Sequence, residues 1–249
     1  MRAEWFSIVV VACGSPDDAR TTDGAVADDT PDAPDSVATF PSSDPFDGSA
    51  LDSSWTRLHP ELADIEVTGG KLAIHLTTAR LWFADSEAVL VSKRVTGNFK
   101  VTSTIRARSA SNPAAPPTLA VSLSGLMARD PAGTGAGAEN YVFIVAGRDS
   151  DGLAVETKST VDNNSTFEGP DWPSGDAELR LCRVANTFAL YKREIGSTTW
   201  ISAATFVRNL GPTVEAGPNS YALSGPDLRT TWDEVVFAPA LSDADCVLD

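Results

Sequence analysis

The chain is poor in the side chains that most catalytic and metal chemistry uses. It has only two histidines, three cysteines and two methionines in 249 residues, too few His and Cys to favour a zinc cage. Basic residues are also scarce, 19 against 34 acidic ones, for a formal net charge of −15. The chain therefore lacks the basic footprint that nucleic acid needs and that anionic membrane surfaces attract. No apolar run approaches the roughly 18 residues of a membrane-spanning helix. There is no C-x-x-C pair, no Walker-type loop and no G-x-S-x-G elbow. What is present is globular: 42% apolar and 21% charged residues, in a chain long enough to bury roughly 70–75% of its unfolded surface.

The first residues have the layout of an export signal. Arg2 precedes the apolar run Trp5–Val11, and small residues lead to a single cysteine. Val10-Val11-Ala12-Cys13-Gly14 resembles the lipobox of bacterial lipoproteins, which implies cleavage before Cys13 and lipidation of its thiol. The expectation is a signal peptide over residues 1–12 and an exported protein anchored in the bacterial cell envelope, at the outer membrane or cell surface, by lipid alone. Gly14 to Asp44 holds eight Asp and one Arg, with no Glu or Lys. Few apolar side chains and strong self-repulsion predict a disordered acidic linker over residues 13–44, with a span of roughly 30 Å.

From residue 45 to residue 249 the composition is even, so one domain is expected. Its pattern is β throughout. Leu72–Leu76, Phe99–Arg106 and Leu119–Leu123 alternate apolar and polar, Tyr141–Val145 is apolar on both faces, and Glu178–Leu181 with Thr187–Tyr191 reads as a hairpin around Ala185-Asn186. Gly69-Gly70, Gly97-Asn98, Asp151-Gly152 and Gly217-Pro218 mark turns. Many short strands with regular turns predict an all-β, two-sheet antiparallel sandwich or jelly roll.

The order of features resembles a known family. Phe46-Asp47-Gly48 with Leu51-Asp52-Ser53-Ser54-Trp55 is similar to the opening "F-D-G-x-x-L-D-x-x-W" of concanavalin A-like lectin/glucanase domains. Gly97-Asn98-Phe99-Lys100-Val101 resembles their "G-D-F-x-V" strand. Leu179-Arg180-Leu181-Cys182-Arg183 with Ala185-Asn186-Thr187-Phe188 resembles "L-R-L-x-R-x-G-N-x-F", and Trp232-Asp233-Glu234-Val235 resembles the closing "F-D-D-F/V". The likeness spans about residues 45–238 and is greatest to the small jelly rolls of bacterial lipoproteins and those appended to β-xylosidases. The family's "S-x-D-G-x-x-W" hairpin has become Arg193-Glu194-Ile195-Gly196-Ser197-Thr198-Thr199-Trp200, without its Ser and Asp.

The resemblance implies a concanavalin A-like jelly roll whose concave sheet face either cleaves or binds glycans. Family glucanases place E-x-D-x-E on one strand, where a period of two aims all the carboxylates one way. No such motif occurs. Glu61-Leu62-Ala63-Asp64-Ile65-Glu66 comes nearest, and its spacing splits Glu61 from Asp64. His59 precedes a proline, and His75 sits in an alternating strand. The expectation is a monomeric, non-catalytic domain that binds a glycan or polysaccharide through its concave sheet face. The runners-up are a structural or partner-binding lipoprotein and a hydrolase whose carboxylates converge from distant strands. Candidate ligand residues are Trp82 and Trp172 for stacking and Arg129 and Tyr141 for polar contacts. Trp82 could equally be core, Trp172 a loop plug, and Tyr141, set in an apolar run, reads as core before it reads as a ligand residue. Trp55, Trp200 and Trp232 match framework positions and are expected to pack.

No cofactor is required. A calcium ion is conceivable, because related sandwiches place carboxylates near both chain ends, where Asp47 and Asp233 stand; calcium wants six to eight oxygens. Asp149-Ser150-Asp151-Gly152 reads either as a fragment of a calcium loop or as an Asp-Gly hairpin turn. With Cys13 assigned to lipid, Cys182 and Cys246 remain. Exported compartments permit disulfides, and these two are candidates for one, against the alternative of two unrelated thiols. Alternation turns Leu179 and Leu181 inward and Arg180 and Cys182 outward.

Overall fold

The computed structural model describes residues 40–133 and 138–249. The expected signal peptide, Cys13 and all but the last five residues of the expected linker lie outside the described residues. Those five residues differ from the expectation. Phe40 packs on the core, the Lys93 ammonium donates to the Ser42 carbonyl at 2.8 Å, and Asp44 pairs with Val235. Residues 40–44 are therefore part of the packed body.

The strands are β1 (Thr56–Leu58), β2 (Ala63–Val67), β3 (Leu72–Leu76), β4 (Val89–Thr96), β5 (Phe99–Arg108), β6 (Ser122–Arg129), β7 (Tyr141–Arg148) and β8 (Leu153–Val161). Then follow β9 (Asn164–Glu168), β10 (Asp176–Val184), β11 (Thr187–Arg193), β12 (Ile201–Val207), β13 (Thr213–Ala222), β14 (Arg229–Trp232) and β15 (Val236–Pro239). Helix is confined to 3₁₀ turns at Pro60–Leu62 and Asp243–Val247. Among the described residues no helix is long and apolar enough to cross a membrane.

Two antiparallel sheets result. One has seven strands in the order β1-β4-β13-β6-β7-β8-β9. The other has eight, running β12-β11-β10-β5-β14-β3-β2, with β15 pairing β5 beyond the end of β14. Period-two alternation builds the layer between them. In β5, Phe99, Val101, Ile105 and Ala107 face the core while Lys100, Thr102, Thr104 and Arg106 face outward. A buried chain of hydroxyls crosses the core: Thr230 donates to Ser124, and Ser124 to Ser220, each at 2.8 Å. These bonds satisfy groups that would be costly if orphaned and tie β14 of one sheet to β6 and β13 of the other.

The stretch Tyr141–Val145 is apolar on both faces because it lies inside the seven-stranded sheet between two separate apolar layers. Val142 and Ile144 point into the sandwich core. Tyr141, Phe143 and Val145 point the other way, into a second cluster with Trp82, Leu90, Leu123, Met127 and Tyr221. The sheet's outer face is thus largely filled.

Candidate functional site

Strand register fixes the outer face of the seven-stranded sheet. Arg129, Tyr141 and Thr160 lie side by side across β6, β7 and β8; the next row is Met127, Phe143 and Lys158, and the next is Gly125, Val145 and Glu156. The connection between β3 and β4 runs over this face. It is held there by the Lys158 ammonium, which donates to the Trp82 carbonyl at 3.0 Å, and by Ala84 N–H, which donates to Ser165 Oγ at 3.0 Å.

Three of the four ligand candidates converge on this face, but none is open to solvent. Trp82 has no exposed surface, stands edge-on to Tyr141 with ring centroids 5.4 Å apart, and donates its indole N–H to the Val89 carbonyl at 3.3 Å. Tyr141 stacks on Phe143 at 5.8 Å, and burial pushes its phenol pKa up to about 12. Trp172 lies elsewhere. It belongs to the inter-sheet core, its indole donates to the Asp176 carbonyl at 2.9 Å, and the Lys192 ammonium sits 4.8 Å from its ring centroid. Trp82 and Tyr141 are buried because the connection that brings Trp82 over the sheet also covers it.

Arg129 is buried and organises a carboxylate cluster. Its Nε donates to Glu139 Oε2 at 2.8 Å and its Nη2 to Glu139 Oε1 at 2.7 Å; it also contacts Glu87, and Glu215 at 3.4 Å. His59 bridges outward, with Nε2 at 2.9 Å from Glu87 and Nδ1 at 3.0 Å from Glu61. Burial raises the Glu139 pKa. At Glu87 burial is outweighed by the hydrogen bonds with His59 and Glu139 and the charges of Arg129 and His59 together, and its pKa is lowered. At His59 burial likewise loses to the two carboxylates, and its pKa rises. A pair of neighbouring carboxyls pushed apart in this way is the pattern of an acid–base couple, but here both are bound to one guanidinium. The nearer sequence motif is an edge feature: Asp64 and Glu66 are exposed on the edge strand β2, beside His75 at 3.8 Å and Arg229 at 2.7 Å.

The open part of the face lies at its β9 side. A pocket of about 280 Å³ there is lined by Phe83, Phe167 and Leu223, with Glu156 and Lys158 at its base. Phe83 and Phe167 stand edge to face at 6.4 Å and are 43% and 55% exposed. The Lys158 ammonium sits 5.0–5.4 Å from the centroids of Phe83, Phe143, Phe167 and Tyr221. Glu156 lies 3.2 Å from it and accepts from the Tyr221 hydroxyl at 2.8 Å. Burial lowers the Lys158 pKa. Sequence reasoning missed this site. The available signal was Phe167, a lone aromatic in the polar run Asn163-Asn164-Ser165-Thr166-Phe167-Glu168, which has no apolar face to join.

The two calcium candidates, Asp47 and Asp233, do not line one hollow. Asp233 is bound by Lys71 and by Arg106 at 2.6 Å, a cationic setting that a calcium ion would not share. Asp47 lines a different hollow, with Asp44 and Asp52. No cluster of three or more His, Cys, Asp or Glu suited to a metal occurs among the described residues. Asp149–Gly152 forms the turn between β7 and β8, with Asp149 N–H donating to the Gly152 carbonyl at 2.9 Å.

Cys182 and Cys246 are joined by a disulfide. Both Cys182 and Arg180 point away from the sandwich core, yet neither is exposed, because residues 242–249 lie over them. Arg180 donates to the Cys246 and Leu248 carbonyls at 3.0 and 2.8 Å. Trp200 sits between the guanidinium groups of Arg180 and Arg193, each 4.1 Å from its ring centroid.

No family model matches the chain, and no curated protein matches it. Similar solved structures exist. A functionally unknown protein from Saccharomyces cerevisiae is 12% identical, with 76% of this chain and 98% of that chain covered, at a TM-score of 0.64. A xylan β-1,4-xylosidase from Bacillus halodurans C-125 is 16% identical over 83% of this chain, at a TM-score of 0.63. Only 41% of the xylosidase is covered, so this chain corresponds to part of that enzyme. A legume lectin-like domain from Entamoeba histolytica is 8% identical, with 75% of this chain and 90% of that domain covered, at a TM-score of 0.51. At these identities the likeness is one of fold, and the fold shared is a two-sheet antiparallel β-sandwich.

Proposed function

We propose that this protein is a lipid-anchored envelope protein whose β-sandwich binds a glycan without cleaving it, through the pocket at Phe83 and Phe167. The observation behind this reading is the pair of exposed phenylalanine rings, set edge to face beside buried polar groups, on the outer face of a lectin-like sheet. Sugar sites stack the apolar face of a ring on an aromatic and bond hydroxyls with a few fixed polar groups. Glu156 and Lys158 are such groups, each held by two partners. The non-catalytic part of the reading is supported by Glu87 and Glu139, a close carboxylate pair bound to Arg129 rather than standing beside an open cleft. The export and anchoring part rests on the sequence Val10-Val11-Ala12-Cys13-Gly14 alone.

A second reading, a structural or partner-binding envelope protein, is favoured by one observation: Trp82 and Tyr141 fill the middle of the face that would hold a sugar. A glycan array with the oxidised protein separates the two. The glycan reading expects binding that Phe167→Ala weakens about tenfold, which is about 1.4 kcal/mol, while Trp172→Phe leaves it unchanged. If the wild-type protein binds nothing on the array, the structural reading stands instead.

A further inference from the structure

We propose that the Phe83–Phe167 pocket is selective for glycans bearing protonated amino groups, amino-sugar residues rather than N-acetylated or neutral ones. This rests on the glycan-binding reading above and names the substrate class of the same site.

The walls select for a ring. Phe83, Phe167 and Leu223 are 43%, 55% and 53% exposed and converge on one pocket. Contiguous exposed apolar surface of this kind marks an interaction site. The two aromatic rings already flank one cation, the protein's own Lys158, at 5.4 and 5.0 Å. Their faces are thus arranged for attraction between a positive charge and a π-system.

The charge selects for a cation. Lys158 is 4% exposed, and its ammonium is satisfied by the Trp82 carbonyl and by Glu156. That pair is neutral as a unit. The other charged residues lining the pocket are Asp149, Asp151 and Glu168, and none of the three forms an ion pair among the described residues. Asp149 is fixed in place: its Oδ1 accepts from the Asp151 and Gly152 backbone N–H groups at 2.7 and 2.8 Å. Its Oδ2 points at Gly169, another lining residue, where a Cβ would lie only 2.8 Å away. The absence of a side chain at residue 169 keeps that oxygen open to the pocket. Three uncompensated carboxylates repel an acidic sugar and offer a neutral one only hydrogen-bond acceptors for its hydroxyls. They attract an ammonium group, and each exposed pair of this kind gives about a 1.5- to 5-fold gain in affinity.

The test is calorimetric titration of the full oxidised chain with a fully deacetylated glucosamine tetramer, its N-acetylated counterpart, a xylose tetramer and tetralysine. The expected result is about tenfold tighter binding of the glucosamine tetramer than of either neutral oligomer at low salt, with the gap closing as salt is raised. Glu168→Gln, an exposed change that leaves the fold intact, should narrow the gap about two- to fivefold; Phe167→Ala should weaken all sugars together. Equal or tighter binding of the neutral oligomers overturns the amino-sugar inference and leaves the glycan reading in place. Tetralysine binding as tightly as the aminated tetramer also overturns it, because the pocket would then read charge alone. A preference untouched by Glu168→Gln and Asp149→Asn places the site elsewhere and overturns it too. If no sugar binds, the glycan reading falls, and this inference with it.

Discussion

Trp82 stands edge-on to Tyr141, centroids 5.4 Å apart at an interplanar angle of 70°, with both rings fully buried. Two residues that a reader of the sequence would choose as a sugar platform instead hold each other under the β3–β4 connection. The aromatic next in sequence, Phe83, is the one that reaches solvent.

This contrast sets the first prediction. Trp82→Ala empties a buried indole site and should cost about 3–5 kcal/mol. Phe167→Ala removes a ring that is 55% exposed and should shift stability by no more than about 0.5 kcal/mol. Urea denaturation of both variants, scored by midpoint at constant slope, checks the difference. Similar midpoints for the two would mean that Trp82 does not close the face.

The second prediction concerns alkaline pH. Tyr141 Oη has no hydrogen-bond partner among the described residues, and burial holds its pKa at about 12 against an ordinary 10.0. Between these values the folded state keeps a proton that the unfolded state has lost, so stability must fall as pH rises through that window. The loss assigned to Tyr141 is about 3 kcal/mol. Tyr141→Phe should match or exceed wild-type stability at pH 7, by up to about 1 kcal/mol, and its advantage should grow from pH 10 towards 12. Tyr221, also raised by burial, stays in both proteins. Parallel pH–stability curves would refute the assignment.

A third prediction addresses the carboxylate cluster. Arg129→Met leaves Glu139, 1% exposed, without its cation. Breaking a buried pair from one side costs about 3–5 kcal/mol. Burial already raises the Glu139 pKa, and without the guanidinium it rises further. The variant's deficit should therefore shrink as pH falls from 7 towards 5, because the unpaired carboxyl takes up a proton in the folded state first. Arg129→Met with Glu139→Gln should recover much of the loss at pH 7. A pH-independent deficit would place the cost in packing instead.

The sandwich was legible from residues such as Phe99, Val101 and Ile105, because alternation reports directly which side of a sheet is buried. The same rule also gave a misleading picture of the site. It correctly turns Tyr141 and Arg180 away from the inter-sheet core, but cannot show that Trp82 covers the first and residues 242–249 cover the second. Those covers are made by irregular connections whose path no period encodes. The pocket was illegible for a related reason: Phe83, Phe167 and Asp149 come from three separate segments, and only the pairing of β8 with β7 and β9 brings them together. Phe167, alone among polar neighbours, was the one local sign.

The last prediction concerns two of the ties that hold residues 242–249 on the eight-stranded sheet, beside the bonds from Arg180 to their carbonyls. One is covalent, the Cys182–Cys246 bond, with a sequence separation of 64. Closing a loop of that size should contribute about 2–4 kcal/mol, so Cys182→Ser with Cys246→Ser should lower stability by about that amount. The other is electrostatic. Asp249 accepts from Arg193 and Arg180 at 2.8 Å and from the Trp200 indole at 3.0 Å, and the Arg193 hydrogen bond foremost holds its pKa well below the ordinary 3.8. A carboxylate depressed in the folded state stabilises above its unfolded pKa, and that contribution disappears as pH falls through the folded value. Asp249 is largely solvated, so its part is small while the disulfide is intact. In the double serine variant it is one of the remaining ties, beside the bonds from Arg180 and Lys100 to the segment's carbonyls. Trimming of residues 242–249 by an acid-tolerant protease should therefore stay slow at pH 6 and accelerate below about pH 4, but only without the disulfide. Asp249→Asn in that background should make trimming fast at both pH values. Equal trimming rates at pH 6 with and without Asp249→Asn would show that the Arg180–Trp200–Arg193 stack does not hold the segment.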